Sequence, residues 1–190
     1  KEGHLMIELE TFRKFRKIDF IAIIILALIW ALITWIINLS DTQLTFFLSL
    51  FITTMFMAFT ALLIRKFFAV TMFYLIGAII TIPINNLGGL GIYKVPILFI
   101  AGIIFELFFL LLKIKIKNIP LDIILGAAFS NFSIPFSMLL FVTATKELMP
   151  FVWNFALMAF IIGVMAAIVT FLIWYNIKGL KFIIRFEYSV

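Results

Sequence analysis

The sequence predicts an all-α, polytopic integral membrane protein with six transmembrane helices and both termini in the cytoplasm. Three observations carry this reading: a composition that only lipid can solvate, six apolar runs near spanning length, and basic residues gathered on one side of the layout. Of 190 residues, 66% are apolar, 13% are charged and 25 are phenylalanine. A soluble domain carries about a quarter charged residues and roughly half apolar ones. A chain this short has a large surface for its volume, and its polar residues are too few to cover that surface.

About 20 apolar residues cross a bilayer core as a helix. The runs 18–39, 44–64, 67–82, 95–112, 121–142 and 151–175 meet or approach that length. The third is short and runs into Pro83, Asn85 and Asn86. Residues 1–17 pair apolar Leu5, Leu9 and Phe12 with Arg13, Lys14, Arg16 and Lys17, the pattern of an amphipathic helix lying on the membrane surface. Residues 18–176 then form one six-helix domain, and 177–190 a cytoplasmic tail. The first run is too long for a signal peptide and lacks a small-residue cleavage site.

Alternate sides of this layout divide the basic residues unequally. Lys1, Arg13, Lys14, Arg16, Lys17, Arg65, Lys66, Lys113, Lys115, Lys117, Lys178, Lys181 and Arg185 fall on one side, and only Lys94 and Lys146 on the other. The richer side is cytoplasmic by the positive-inside rule. The external connections are then 38–42, 83–94 and 143–150. The net charge of +6 belongs to topology and lipid headgroups rather than to nucleic acid. Cysteine is absent, which excludes disulfides and thiolate chemistry.

Polar groups inside a span are costly and normally face other helices, water or a ligand. The third span carries Thr71, Tyr74, Thr81 and Asn85 near one face, with Gly77 and Ala78 between them. The fifth carries Ser130, Ser133 and Ser137, with Asn131 on an adjoining face and Pro135 loosening the helix. The sixth adds Trp153 and Asn154 at its external end. Serine and threonine often only bond their own backbone, whereas an amide wants several partners. Glu106 is read as the sole carboxylate inside a span, there to hold a substrate cation, to relay a proton, or to bind Arg65 or another helix end structurally. The loop 83–94 is rich in glycine and amides and ends on Tyr93 and Lys94. It is either a lid or a flexible connector.

No HExxH, paired intramembrane aspartates, serine–histidine pair or acidic magnesium cluster occurs. Hydrolysis and phosphoryl transfer therefore lack machinery, and no filter motif or charged ring marks a channel. The expectation is a binding protein without catalytic residues, metal or cofactor.

The length, six spans, cytoplasmic ends and Ala27-xxx-Ala31 in the first span resemble the S components of energy-coupling factor (ECF) transporters. Arg65-Lys66 leading into the third span, Gly77-Ala78, the Asn/Gly-rich loop and Gly102-xxx-Glu106 are similar to S components for hydroxymethylpyrimidine or thiamine precursors. The resemblance implies a high-affinity subunit in the cell membrane that captures a small organic vitamin or precursor from outside. It also implies docking through Ala27 and Ala31 on a transmembrane coupling subunit driven by two ATPases. Metal-specific members would want a histidine cluster, which this sequence lacks. The substrate-binding expectation falls on Asn85, Asn86, Tyr93, Lys94, Glu106, Asn131, Trp153 and Asn154. The alternatives are a stand-alone membrane enzyme using Glu106 and a structural or scaffolding membrane subunit.

Overall fold

A computed structural model describes residues 14–37, 42–84, 91–112, 115–116, 119–140 and 149–180. Helices α1 (Lys17–Ile37), α2 (Gln43–Ile64), α3 (Ala69–Ile80), α4 (Lys94–Leu112), α5 (Leu121–Leu139) and α6 (Met149–Ile177) make up nearly all of it. A 3-10 turn, Gly91–Tyr93, leads into α4, and Lys115–Ile116 pairs briefly with Ile119–Pro120 before α5. All helices except α3 are long and apolar enough to cross a membrane. With 12 residues, α3 reaches only about 18 Å, short of a hydrocarbon core of about 30 Å. The chain is an all-α, multi-pass membrane protein.

Residues 14–16 are irregular and Lys17 already belongs to α1, so the expected surface helix does not extend to residue 17. Its remainder lies outside the described residues, as do the tail beyond residue 180 and most of the three expected external loops. One reading needs correction. Glu106 is not alone, because Asp19 and Asp122 sit buried in the first turns of α1 and α5. A carboxylate there faces free backbone N–H groups at the positive end of its own helix, which makes burial tolerable.

The helices close a ring in the order α1, α2, α6, α5, α4, α3, and α2 leans inward to touch α3 and α5 as well. Neighbours α1 and α3 run parallel, as do α2 and α6, while the remaining pairs are antiparallel. Thus Phe59 of α2 meets Trp174 of α6, and Lys66 just after α2 meets Asp19 at the start of α1. The first helix begins and the last helix ends at the same end of the bundle.

Close approach, rather than a hydrophobic drive, holds helices together in lipid. The stripe Ile23, Ala27, Trp30, Ala31 and Thr34 turns α1 inward. Trp30 is fully buried and donates from Nε1 to the Thr53 hydroxyl at 2.8 Å. Its ring lies where a side chain at Gly77 of α3 would be, 2.5 Å from the position of a Cβ. At Gly163 of α6 a Cβ would meet the Ala127 carbonyl and the Ala128 Cα of α5, both at 2.8 Å. Phenylalanines fill the wider gaps, as where Phe108 stacks on Phe129 at 4.2 Å between α4 and α5.

Asp19 and Lys66 close one end of the bundle. The Lys66 ammonium donates to the Asp19 carboxylate at 2.5 Å and to the Lys14 carbonyl at 2.8 Å, with both acidic and basic side chains buried. Arg16 donates its backbone N–H to the same carboxylate. A four-residue turn delivers Lys66 there, and it is tight enough to put Arg65 (φ 49°) and Phe68 (φ 72°) in the left-handed region, which non-glycine residues adopt at a cost.

Candidate functional site

A helix too short to reach both membrane faces leaves its terminal N–H and C=O groups away from bulk water. Each such group is costly when unpaired. Helix α4 supplies both remedies to α3. At the start of α3, the buried Glu106 carboxylate accepts from the Val70 N–H at 3.0 Å, and the N–H groups of Thr71 and Phe68 also face it. At the other end, the buried Lys94 ammonium donates to the carbonyls of Thr81 and Ile84. Acid on the positive end and base on the negative end match the helix dipole. The spacing fits too, since Glu106 lies 12 positions after Lys94 and α3 itself is 12 residues long. One turn from Glu106, Gly102 lets α4 press on α3: a Cβ there would lie 2.9 Å from the Thr71 Cα.

Within this frame lies a band of buried polar side chains, near mid-helix in α2 and α5 and in the first half of α3. Thr71 and Tyr74 come from α3, Ser130 and Asn131 from α5, and Thr54 from α2, all fully buried. Thr54 donates its hydroxyl hydrogen to the Leu50 carbonyl at 2.7 Å, so toward Asn131 its oxygen can only accept. Asn131 must therefore present its NH2, which donates to Thr54 at 2.6 Å and leaves the amide oxygen unengaged. The Tyr74 hydroxyl is directed toward Ser130, yet neither closes a hydrogen bond of normal geometry, nor does the Thr71 hydroxyl. Pro135 has no N–H to give the Asn131 backbone carbonyl four residues earlier, which loosens α5 at the same level.

Two other hydroxyls of the stripes are satisfied locally. Thr81 donates to the Gly77 carbonyl and Ser133 to the Ser130 carbonyl, the backbone-directed bonding expected of hydroxyls in spans.

Those of the residues expected to bind substrate that are described are not brought together in the band. Asn131 is in the band, while Glu106 and Lys94 are engaged at the ends of α3. Tyr93 and Asn154 are exposed. Trp153 is half-exposed and packs edge-on against Phe132 and Phe136. Asn85 and Asn86 lie outside the described residues. Ala27 and Ala31 are buried within the chain's own packing, so neither offers a free surface. No ionisable side chain forms an ion pair with Glu106 among the described residues, and no metal-ligating group of three or more His, Cys, Asp or Glu occurs there.

The sequence shows Thr71, Tyr74 and Ser130 as stripes, but Thr54 and Asp19 were passed over and Lys66 was read only for topology and resemblance. The run Thr53-Thr54 was the available signal for α2, and a carboxylate at the second position of an apolar run was the signal for Asp19.

The architecture thus defines the class, a multi-pass α-helical membrane protein with a buried polar interior. Comparison of the chain with family models, with curated proteins and with solved structures finds no match.

Proposed function

We propose that this chain is a solute-binding subunit of an ECF-type uptake system, lying in the cell membrane with both termini cytoplasmic. Its cargo is a small organic, vitamin-like solute taken from outside. The observation that supports this above all is the band itself: Thr71, Tyr74, Ser130 and Asn131 are fully buried, and each carries an oxygen that closes no hydrogen bond of normal geometry within the chain. Native interiors rarely leave buried polar atoms unpaired, and inside a membrane such atoms mark binding or transport paths. The excess of basic residues on the side where α1 begins supports the orientation.

Docking to a coupling subunit and its ATPases belongs to the same reading. Because Ala27 and Ala31 are covered, docking through them requires α1 to shift. The exposed strip Ile24, Leu28, Leu32 and Trp35 is reachable without that movement. A scaffolding role is the second reading, favoured by Glu106 and Lys94 both fastening α3.

Native mass spectrometry of the protein, released gently from its membrane, tests the proposal. A tight binder carries one organic adduct of defined mass. Protein that appears only bare or lipid-bound in every preparation supports the scaffold instead.

A further inference from the structure

The solute-binding reading leaves the chemical class of the cargo open, and the charges around the band narrow it. Glu106 faces the positive end of α3 and Lys94 its negative end. Lys66 is paired with Asp19, and Asp122 sits in the first turn of α5. Each of these buried charges already meets an opposite charge or helix end within the chain. Glu106 Oε2 also lacks a hydrogen bond of normal geometry, but its carboxylate faces the first N–H groups of α3; the band's own four side chains bring hydroxyls and one amide, and no formal charge. An ionised solute would enter this interior without a counter-charge, and an isolated ion in a low-dielectric interior is strongly disfavoured.

The hydrogen-bond directions narrow the class further. Thr54 fixes the amide of Asn131, so what Asn131 offers is an acceptor oxygen. The hydroxyls of Tyr74, Ser130 and Thr71 can each donate or accept. We infer that the cargo is uncharged and gives an N–H or O–H to the Asn131 amide oxygen, with Tyr74, Ser130 and Thr71 completing its contacts. This rests on the solute-binding reading and adds the charge and polarity of the solute.

The test uses three probes made from one small-molecule cell extract, separated by ion exchange into uncharged, anionic and cationic fractions. Each is added to the full-length protein stripped of cargo in detergent, and thermal unfolding is followed. The uncharged fraction is expected to raise the unfolding temperature of the unaltered protein by several degrees. That rise should vanish in Asn131→Leu and shrink in Ser130→Ala, a variant that removes one hydroxyl with no hydrogen bond of normal geometry and so keeps the test alive should Asn131→Leu fold poorly. Stabilisation by the anionic or cationic fraction alone overturns the inference and leaves the solute-binding reading standing. A rise with the uncharged fraction that persists in the folded variants also overturns it. Stabilisation by none of the three overturns the solute-binding reading as well.

Discussion

Replacing Glu106 measures how α3 is held. Glu106→Leu deletes the acceptor of the 3.0 Å bond from Val70 and leaves the first N–H groups of α3 facing apolar surroundings. A buried donor without a partner costs about 1–3 kcal/mol, and loss of a carboxylate from a helix N-terminus adds about 1 kcal/mol. The sum for Glu106→Leu is about 2–4 kcal/mol. Glu106→Gln keeps an acceptor oxygen and loses only the charge, at about 1 kcal/mol. For a chain of 190 residues, 1 kcal/mol corresponds to a Tm change of about 2–4 °C. Glu106→Leu should therefore melt about 4–16 °C below the unaltered protein, and Glu106→Gln about 2–4 °C below it. Intrinsic fluorescence of the four tryptophans during heating in detergent reads both. If Glu106→Leu melts with the unaltered protein, the cap is not what holds α3. If Glu106→Gln falls as far as Glu106→Leu, the charge matters and the acceptor does not.

Three further outcomes follow from the packing and the charge layout. Asp19→Asn takes the counter-charge from the buried Lys66 ammonium and should destabilise the protein by about 3–5 kcal/mol, while the double variant Asp19→Asn with Lys66→Met recovers most of that loss in the same melt. Ala27→Leu forces extra carbons between α1 and its neighbours and should lower the stability of the isolated protein by about 1–3 kcal/mol; a variant that melts normally and fails only to assemble with a coupling subunit would show the alanine to be a docking residue. Because the chain has no native cysteine, single cysteines report topology directly. A membrane-impermeant maleimide added to intact cells should label Tyr93→Cys and spare Lys178→Cys, and the reverse pattern refutes the orientation.

The helices were legible because lipid imposes a length and a composition on every span. Predicted and observed boundaries of α2 differ by one residue at the start and agree at the end, and α4 begins one residue early, at Lys94. The weakest run gave the shortest helix, α3, for a visible reason: Pro83 and the amides that follow end the apolar stretch. Which polar residue meets which was not legible. Glu106 finds Val70 36 positions away and Lys66 finds Asp19 47 away, and no periodicity encodes such pairs. Lys94 looked like a binding cation because a sequence shows its charge and not the carbonyls it reaches. The Ala27-xxx-Ala31 spacing correctly marks a face that another helix approaches, but spacing alone does not tell a helix of the same chain from one of a partner.

The claim that the mid-helix band holds the solute is tested most directly by comparing adduct occupancy across variants in native mass spectra. The unaltered protein, Asn131→Leu, Tyr74→Phe and Trp153→Ala would be prepared from equal amounts of membrane. The account predicts an organic adduct on the unaltered protein and on Trp153→Ala, with at least about tenfold lower occupancy in Asn131→Leu, the loss expected for about 1.4 kcal/mol of binding free energy, and a clear decrease in Tyr74→Phe. An adduct that disappears in Trp153→Ala and persists in Asn131→Leu would contradict the account and move the site to the end of the bundle where α6 begins.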